Sequence, residues 1–224
     1  MVEEDGHPWI VMERLSGRTL EEVLDTEGPL PIDRVTSIGL CLLDVLQASH
    51  RAGIVHRDVK PGNVHLCDGG RVVLTDFGIA STMGHGCSSQ TGEIFGSPAY
   101  ISPERVQGGE FGPASDLFSL GATLFAAVEG RPPFDKGSLF ATLIAVVEDA
   151  PTPFLRAGPL RPVIEGLLAK NPERRLSAAR ARDALRRSSA EAWLSSAGRH
   201  DWPPQLHGRI GPGNPNMDNE QHHD

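Results

Sequence analysis

At 224 residues, 39% hydrophobic and 22% charged, the chain has ordinary globular composition and enough length for one domain. Its net charge of −8, with no markedly basic stretch, argues against a nucleic-acid footprint or a polybasic membrane patch. No run reaches the ~18 apolar residues of a membrane span, and the acidic start "MVEEDGHPWIV" is not a signal peptide, so a cytoplasmic location is expected.

Residues 8–12, "PWIVM", predict a short strand. "TLEEVLDTEG" predicts a helix that starts at a threonine and stops at Gly28. A long helix follows in "PIDRVTSIGLCLLDVLQASHRAG", where Ile32, Val35, Ile38, Leu42, Val45 and Leu46 keep a 3.6-residue rhythm that Gly53 closes. Within it Cys41 reads as a small core residue. "NVHL" and "RVVLTDF" flank "CDGG" as a small hairpin. Residues 78–112 are rich in Gly, Ser and Thr, have no period and read as a long functional loop in which Cys87 is an incidental exposed thiol. The cysteines are odd in number and form no CxxC pair, so neither a disulfide framework nor a zinc site is expected. Helical patterns return at about 114–129, 138–148, 160–169 and 177–187, broken by "GRPPF" and by the Pro/Gly stretch at 151–159. Beyond residue 188 the apolar rhythm fades, and 189–224 reads as a disordered tail.

Four motifs stand in register: "HRDVKPGN" at 56–63, "DFG" at 76–78, "SPE" at 102–104 and "SDLFSLG" at 115–121. Each alone is weak. Together they resemble the C-terminal lobe of a protein kinase, in particular the bacterial relatives of eukaryotic serine/threonine kinases, over about residues 8–188. The resemblance implies a mainly α fold: a helical lobe with a small β-hairpin carrying the catalytic and DFG loops, preceded by a hinge strand, as one domain over 1–188. It also implies ATP and Mg²⁺ as cofactors and protein serine or threonine hydroxyls as the substrate.

The implied roles fit the chemistry of phosphoryl transfer, which needs a carboxylate near the attacking hydroxyl and cations near the moving phosphate. By resemblance Asp58 takes the hydroxyl proton, Lys60 meets the γ-phosphate, and Asn63 and Asp76 offer oxygen ligands to Mg²⁺. Taken alone, Asp58 would read as a loop carboxylate bonding its own backbone. His56 and Asp116 brace the loop, and Glu104 pairs with Arg175, with Arg174 the neighbouring alternative. Arg57 would meet a phosphorylated activation loop whose candidate sites are Thr91, Ser89 and Ser88, modified by a second kinase molecule; otherwise these are solvated hydroxyls. Ser97, in "GSPAY", matches the small hydroxyl residue beside the substrate. The backbones of Glu13 and Leu15 would face adenine, with Met12 as gatekeeper. His65 stands where the family places an apolar adenine floor, and it either stacks on the base or points elsewhere.

Two family features are not found ahead of the catalytic loop. The three lysines are Lys60, Lys136 and Lys170, and the early glycines never form GxG. The expectation is therefore a kinase domain reduced to hinge and C-terminal lobe, either a truncated enzyme or a catalytically inactive protein-binding or regulatory module.

Overall fold

The computed structural model describes residues 2–4, 7–9, 13–77, 98–110 and 112–196, with side chains described from residue 13 to 188. The expectations for Met12, Ser88, Ser89, Thr91, Ser97, Cys87, the glycine of DFG and the tail beyond 196 lie outside the described residues. Strands β1 (Val2–Glu4) and β2 (His7–Trp9) pair antiparallel, with Val2 opposite Trp9. The strand expected over 8–12 is therefore described over 7–9 and belongs to a hairpin. A two-residue strand, β3 (Arg18–Thr19), then joins β4 (Val64–Leu66) and β5 (Val72–Leu74) in an antiparallel sheet of order β3-β4-β5. Gly17 makes this docking possible. Its φ is +99°, and a Cβ there would overlap the Leu66 carbonyl oxygen.

Helix α1 (Leu20–Glu27) starts in a capping box: the Glu22 amide donates to Thr19 Oγ1 at 3.2 Å, and the Thr19 amide donates to Glu22 Oε2 at 2.8 Å. Helix α2 (Ile32–Arg51) buries Val35, Ile38, Gly39, Leu42, Leu43 and Leu46 along one stripe. Cys41 falls off that stripe and is exposed, which corrects its reading as a core residue. The stretch 98–112 is not all loop, since it holds the short helix α3 (Pro103–Val106).

Helix α4 (Pro113–Glu129) is the axis of the molecule. Its residues from Ser115 to Val128 are all buried, so it is enclosed on every side. It packs on α2 and on α6 (Arg161–Leu167), while α7 (Ala178–Ser196) also packs on α2, and Leu124 of α4 and Leu185 of α7 both close on Gly39. Gly121 lets α4 and α6 approach, because a Cβ there would lie 2.7 Å from Leu167 Cβ. Helix α5 (Leu139–Glu148) packs on α3. Helix α7 continues to Ser196, eight residues past the point where the apolar rhythm fades. The result is mainly helical with a small sheet at one edge. Among the described residues no helix is long and apolar enough to cross a membrane.

Candidate active site

The segment 54–60 runs without regular structure from the end of α2 to the 3-10 turn Pro61–Asn63 that leads into β4. Such a segment needs outside partners for its backbone, and Asp116, in the first turn of α4, supplies them. Its Oδ2 accepts the His56 amide at 2.9 Å and its Oδ1 accepts the Arg57 amide at 2.8 Å. Asp116 is 1% exposed. The guanidinium of Arg105, from α3, donates to the Arg57 carbonyl. These bonds hold Arg57 at φ +75°. Among the described residues the one other non-glycine with positive φ is Asp76, at +61°. Both left-handed residues thus sit at the candidate site, where stored backbone strain tends to concentrate.

His56 joins the two halves of the site. Its Nδ1 accepts the Asp58 amide at 3.2 Å, and its Nε2 lies 2.8 Å from the Thr75 carbonyl oxygen. The first bond requires a bare Nδ1 and the second a protonated Nε2, so the ring is neutral. Burial pushes its pKa below the usual histidine value, against the Thr75 bond and the Asp116, Asp58 and Asp76 carboxylates, which pull the other way. Phe77 packs on the same ring with centroids 4.5 Å apart. Thr75 is also tied to Asn63: its amide donates to the Asn63 carbonyl at 2.9 Å. The chain therefore folds back through the β4–β5 hairpin and returns Asp76 beside the loop that carries Asp58 and Asn63.

Asp58, Lys60 and Asn63 form one cluster. Asp58 Oδ2 accepts Asn63 Nδ2 at 2.9 Å and meets Lys60 Nζ at 2.8 Å, which leaves Oδ1 outside both bonds. Asn63 Nδ2 also donates to the Asp58 carbonyl at 2.7 Å. Both amide hydrogens of Asn63 are thereby spent on Asp58, and its Oδ1 takes no part in them. Asp76 is exposed, and its carboxylate takes no hydrogen bond or ion pair among the described residues. Two oxygen donors on either side of a shared backbone bond are a suitable set for a hard cation such as Mg²⁺.

Glu104 and Arg175 form a bidentate pair, Nη1 to Oε1 at 2.8 Å and Nη2 to Oε2 at 2.9 Å, at the base of the 98–110 segment. Ser115 Oγ adds a 2.7 Å bond to Glu104, and Arg175 also donates to the carbonyls of Ala114, Ala169 and Lys170. Arg174 lies in the 3-10 turn just before and is exposed. Burial raises the Glu104 carboxyl, but the hydrogen bonds from Arg175 and Ser115 outweigh it and hold its pKa at about 2.

Glu13 forms an ion pair with Arg71, just ahead of β5, and Leu15 is half-buried in the stretch before β3. His65 faces Thr19 across the sheet, and its Nε2 lies 3.0 Å from the Ser16 carbonyl oxygen. The ring is thus tied to the segment leading into β3. Sequence reasoning missed three participants: Arg105, Ser115 and His50, whose Nε2 lies 2.7 Å from Asp116 Oδ2. Arg105 and His50 belong to no motif, and Ser115 opens the "SDLFSLG" motif without a role assigned to it. Each meets its partner from another element, which no local spacing reveals.

Comparisons with known proteins identify the family. A family model described as "Protein kinase domain" matches residues 1–186. The serine/threonine-protein kinase PknK of Mycobacterium tuberculosis is 42% identical over 173 residues, 75% of this chain and 16% of that protein. PknL of the same organism is 43% identical over 132 residues, 58% of this chain and 33% of PknL. A probable serine/threonine-protein kinase of Corynebacterium efficiens is 40% identical over 156 residues, 68% of this chain and 24% of that protein. In each case the matched stretch is a third or less of the relative's length. By these matches and by the loop geometry that accompanies them, the chain belongs to the protein kinase domain family, as a serine/threonine kinase of the eukaryotic-like bacterial kind.

Proposed function

We propose that the chain carries the catalytic half of an ATP-dependent serine/threonine protein kinase, which transfers the γ-phosphate of ATP to protein hydroxyls. The observation that carries this reading is the shared Asp58–Lys60–Asn63 cluster, with Asp76 returned beside it. Asp58 Oδ1, outside the bonds to Asn63 and Lys60, is the oxygen that would orient the substrate hydroxyl and take its proton. Lys60 would meet the transferring phosphate as a point charge. Asn63 Oδ1 and the Asp76 carboxylate would hold Mg²⁺, which bound with ATP neutralises charge on the phosphates. His56 and Asp116 fix the loop backbone, so that little reorganisation is left for the chemical step. Glu13, Leu15 and His65 would border the base, and phosphorylation of Thr91, Ser89 or Ser88 would recruit Arg57.

The test is phosphate transfer from labelled ATP to a serine/threonine protein substrate, by the full chain and by Asp58→Asn. The expected result is transfer that Asp58→Asn lowers by about a hundredfold or more, within the range of general-base contributions. Equal rates in the two proteins would remove Asp58 from the reaction. A second reading is favoured by one feature. All three lysines lie at or after the catalytic loop, so no lysine ahead of that loop is present in these 224 residues to meet the phosphates from the opposite side. On that reading the chain is a protein-binding or regulatory module. Absence of any nucleotide effect on the wild-type chain would favour it.

A further inference from the structure

Two of the chain's lysines meet a carboxylate, Lys60 at Asp58 and Lys136 at Asp149. Lys170, between α6 and the 3-10 turn Pro172–Arg174, meets none among the described residues. Its Nζ reaches instead to the last turn of α5, donating to the Ala145 carbonyl at 3.2 Å and to the Val146 carbonyl. It also lies 3.6 Å from the centroid of the Phe134 ring. We propose that Lys170 is a modification site, where acylation of Nζ by an acyl phosphate unfastens the end of α5. This goes beyond the transfer reaction and does not rest on the role of Asp58.

A helix leaves its last carbonyls without partners, and a cation at that end satisfies both them and the dipole. α5 has no basic residue in its last turn, so Lys170 brings that cation from another element. The cap survives loss of a proton, because a neutral amine keeps two N–H donors for the two carbonyls and gains a lone pair. The positive charge is weakly supported. Arg175 donates to the carbonyl of Lys170 itself at 3.2 Å, and both cations flank the Phe118 ring. Asp149 and Arg175 are the charged groups that act on it, and each is already paired, Asp149 with Lys136 and Arg175 with Glu104. Burial pushes the Lys170 pKa down to about 8; Asp149 opposes the shift and Arg175 adds to it. Below that value the ammonium rests on the Phe134 face as a cation–π contact. Lys170 is half-buried, so a small acyl donor has a route to it.

The step balances. The ammonium gives a proton to water, the amine lone pair forms a C–N bond at the acyl carbon, and the C–O bond to phosphate breaks. Phosphate leaves with that electron pair and takes up one amine proton. The resulting amide has one N–H and no charge, so one carbonyl loses its donor and the Phe134 contact loses its cation. α5 packs on α3, whose Arg105 holds the Arg57 carbonyl, which places the release next to the candidate site.

The test treats the full chain with acetyl phosphate between about pH 6.5 and about pH 10 and reads acetylation at Lys60, Lys136 and Lys170 by peptide mass spectrometry. At about pH 8 Lys170 is expected to react about tenfold faster than Lys136. Its rate should level off above about pH 8, whereas an ordinary lysine gains until about pH 10. Amide exchange over 143–149 is read on Lys170→Gln, the neutral stand-in for the acylated side chain, and on Lys170→Arg, which keeps the cation. The expected change is about tenfold faster exchange in Lys170→Gln and less than about threefold in Lys170→Arg, with α2 and α4 amides unchanged. Acetylation of Lys170 no faster than that of Lys136, or a rate that climbs to about pH 10 without levelling, would overturn the modification site. Exchange in Lys170→Gln equal to wild type would overturn the release of α5. Labelling of the wild-type chain needs no variant. Should Lys170→Gln not fold, exchange on the acetylated wild-type chain carries the same comparison.

Discussion

Glu104 shows how a single side chain can hold a segment in place. Its carboxylate is paired twice by Arg175 and once by Ser115, and Arg175 has further carbonyl partners and lies over the Phe118 ring, 5.0 Å from its centroid. A buried pair that satisfied is not itself a large source of stability, but removing one partner strands the other. Glu104→Gln is thus expected to lower unfolding stability by about 3–5 kcal/mol at neutral pH, as measured by urea denaturation. The pH dependence has a definite sign. The folded-state pKa is lowered to about 2 from an ordinary value of 4.5, so the contribution is complete above about 4.5 and is lost as pH falls towards about 2. The gap between wild type and Glu104→Gln should narrow across that window. A gap that stays constant from pH 6 to pH 2.5 would show that the carboxylate charge is not what holds Arg175.

At the scale of elements, the small sheet matters because it connects the chain before α1 to the strand that follows the catalytic loop. Gly17 is the hinge of that connection: it combines a left-handed φ with close contact to the Leu66 carbonyl. Gly17→Ala is expected to detach β3 from β4, break the His65–Ser16 contact and cost about 1–3 kcal/mol, measured by thermal unfolding. Exchange at the Leu66 amide should rise with it; an unchanged amide would mean that the strand tolerates a Cβ there. This docking was not legible beforehand, because two residues carry no period. The same limit hid α3, four residues long within a Gly- and Pro-rich stretch. The long helices were legible because α2 and α4 repeat apolar residues over several turns, and the hairpin was legible because "CDGG" parts two β-rich runs. Cys41 was misread because it sits in an apolar run, where the helical phase and not the neighbours decides exposure. The motif residues could be named from the family resemblance that the four motifs carry together. His50 could not, since a histidine in the last turn of a helix already has a sufficient local reason.

For the whole molecule, the decisive feature is that one helix organises both the core and the candidate site. α4 is buried from Ser115 to Val128, and its first turn presents Asp116 to the segment that carries Asp58. The loop geometry is therefore built into the core rather than assembled by a ligand, which makes nucleotide binding a test of the site rather than of the fold. A ligand that binds only the folded state stabilises it by about 2.7 kcal/mol at a hundredfold excess over Kd. In a domain of this size that corresponds to a rise in Tm of roughly 5–10 °C. On the proposed reading part of the rise should require metal, because Asn63 and Asp76 would reach the phosphates through Mg²⁺. Mg-ATP is expected to raise Tm of the full chain more than ATP with EDTA does. Asp76→Asn, at an exposed position that packs nothing, should leave the ligand-free Tm within about 1 °C, as surface substitutions generally do. It should also erase the metal-dependent increment. A metal increment that survives in Asp76→Asn would take Asp76 out of the cation site, and the fold-back through β4–β5 would then need another explanation.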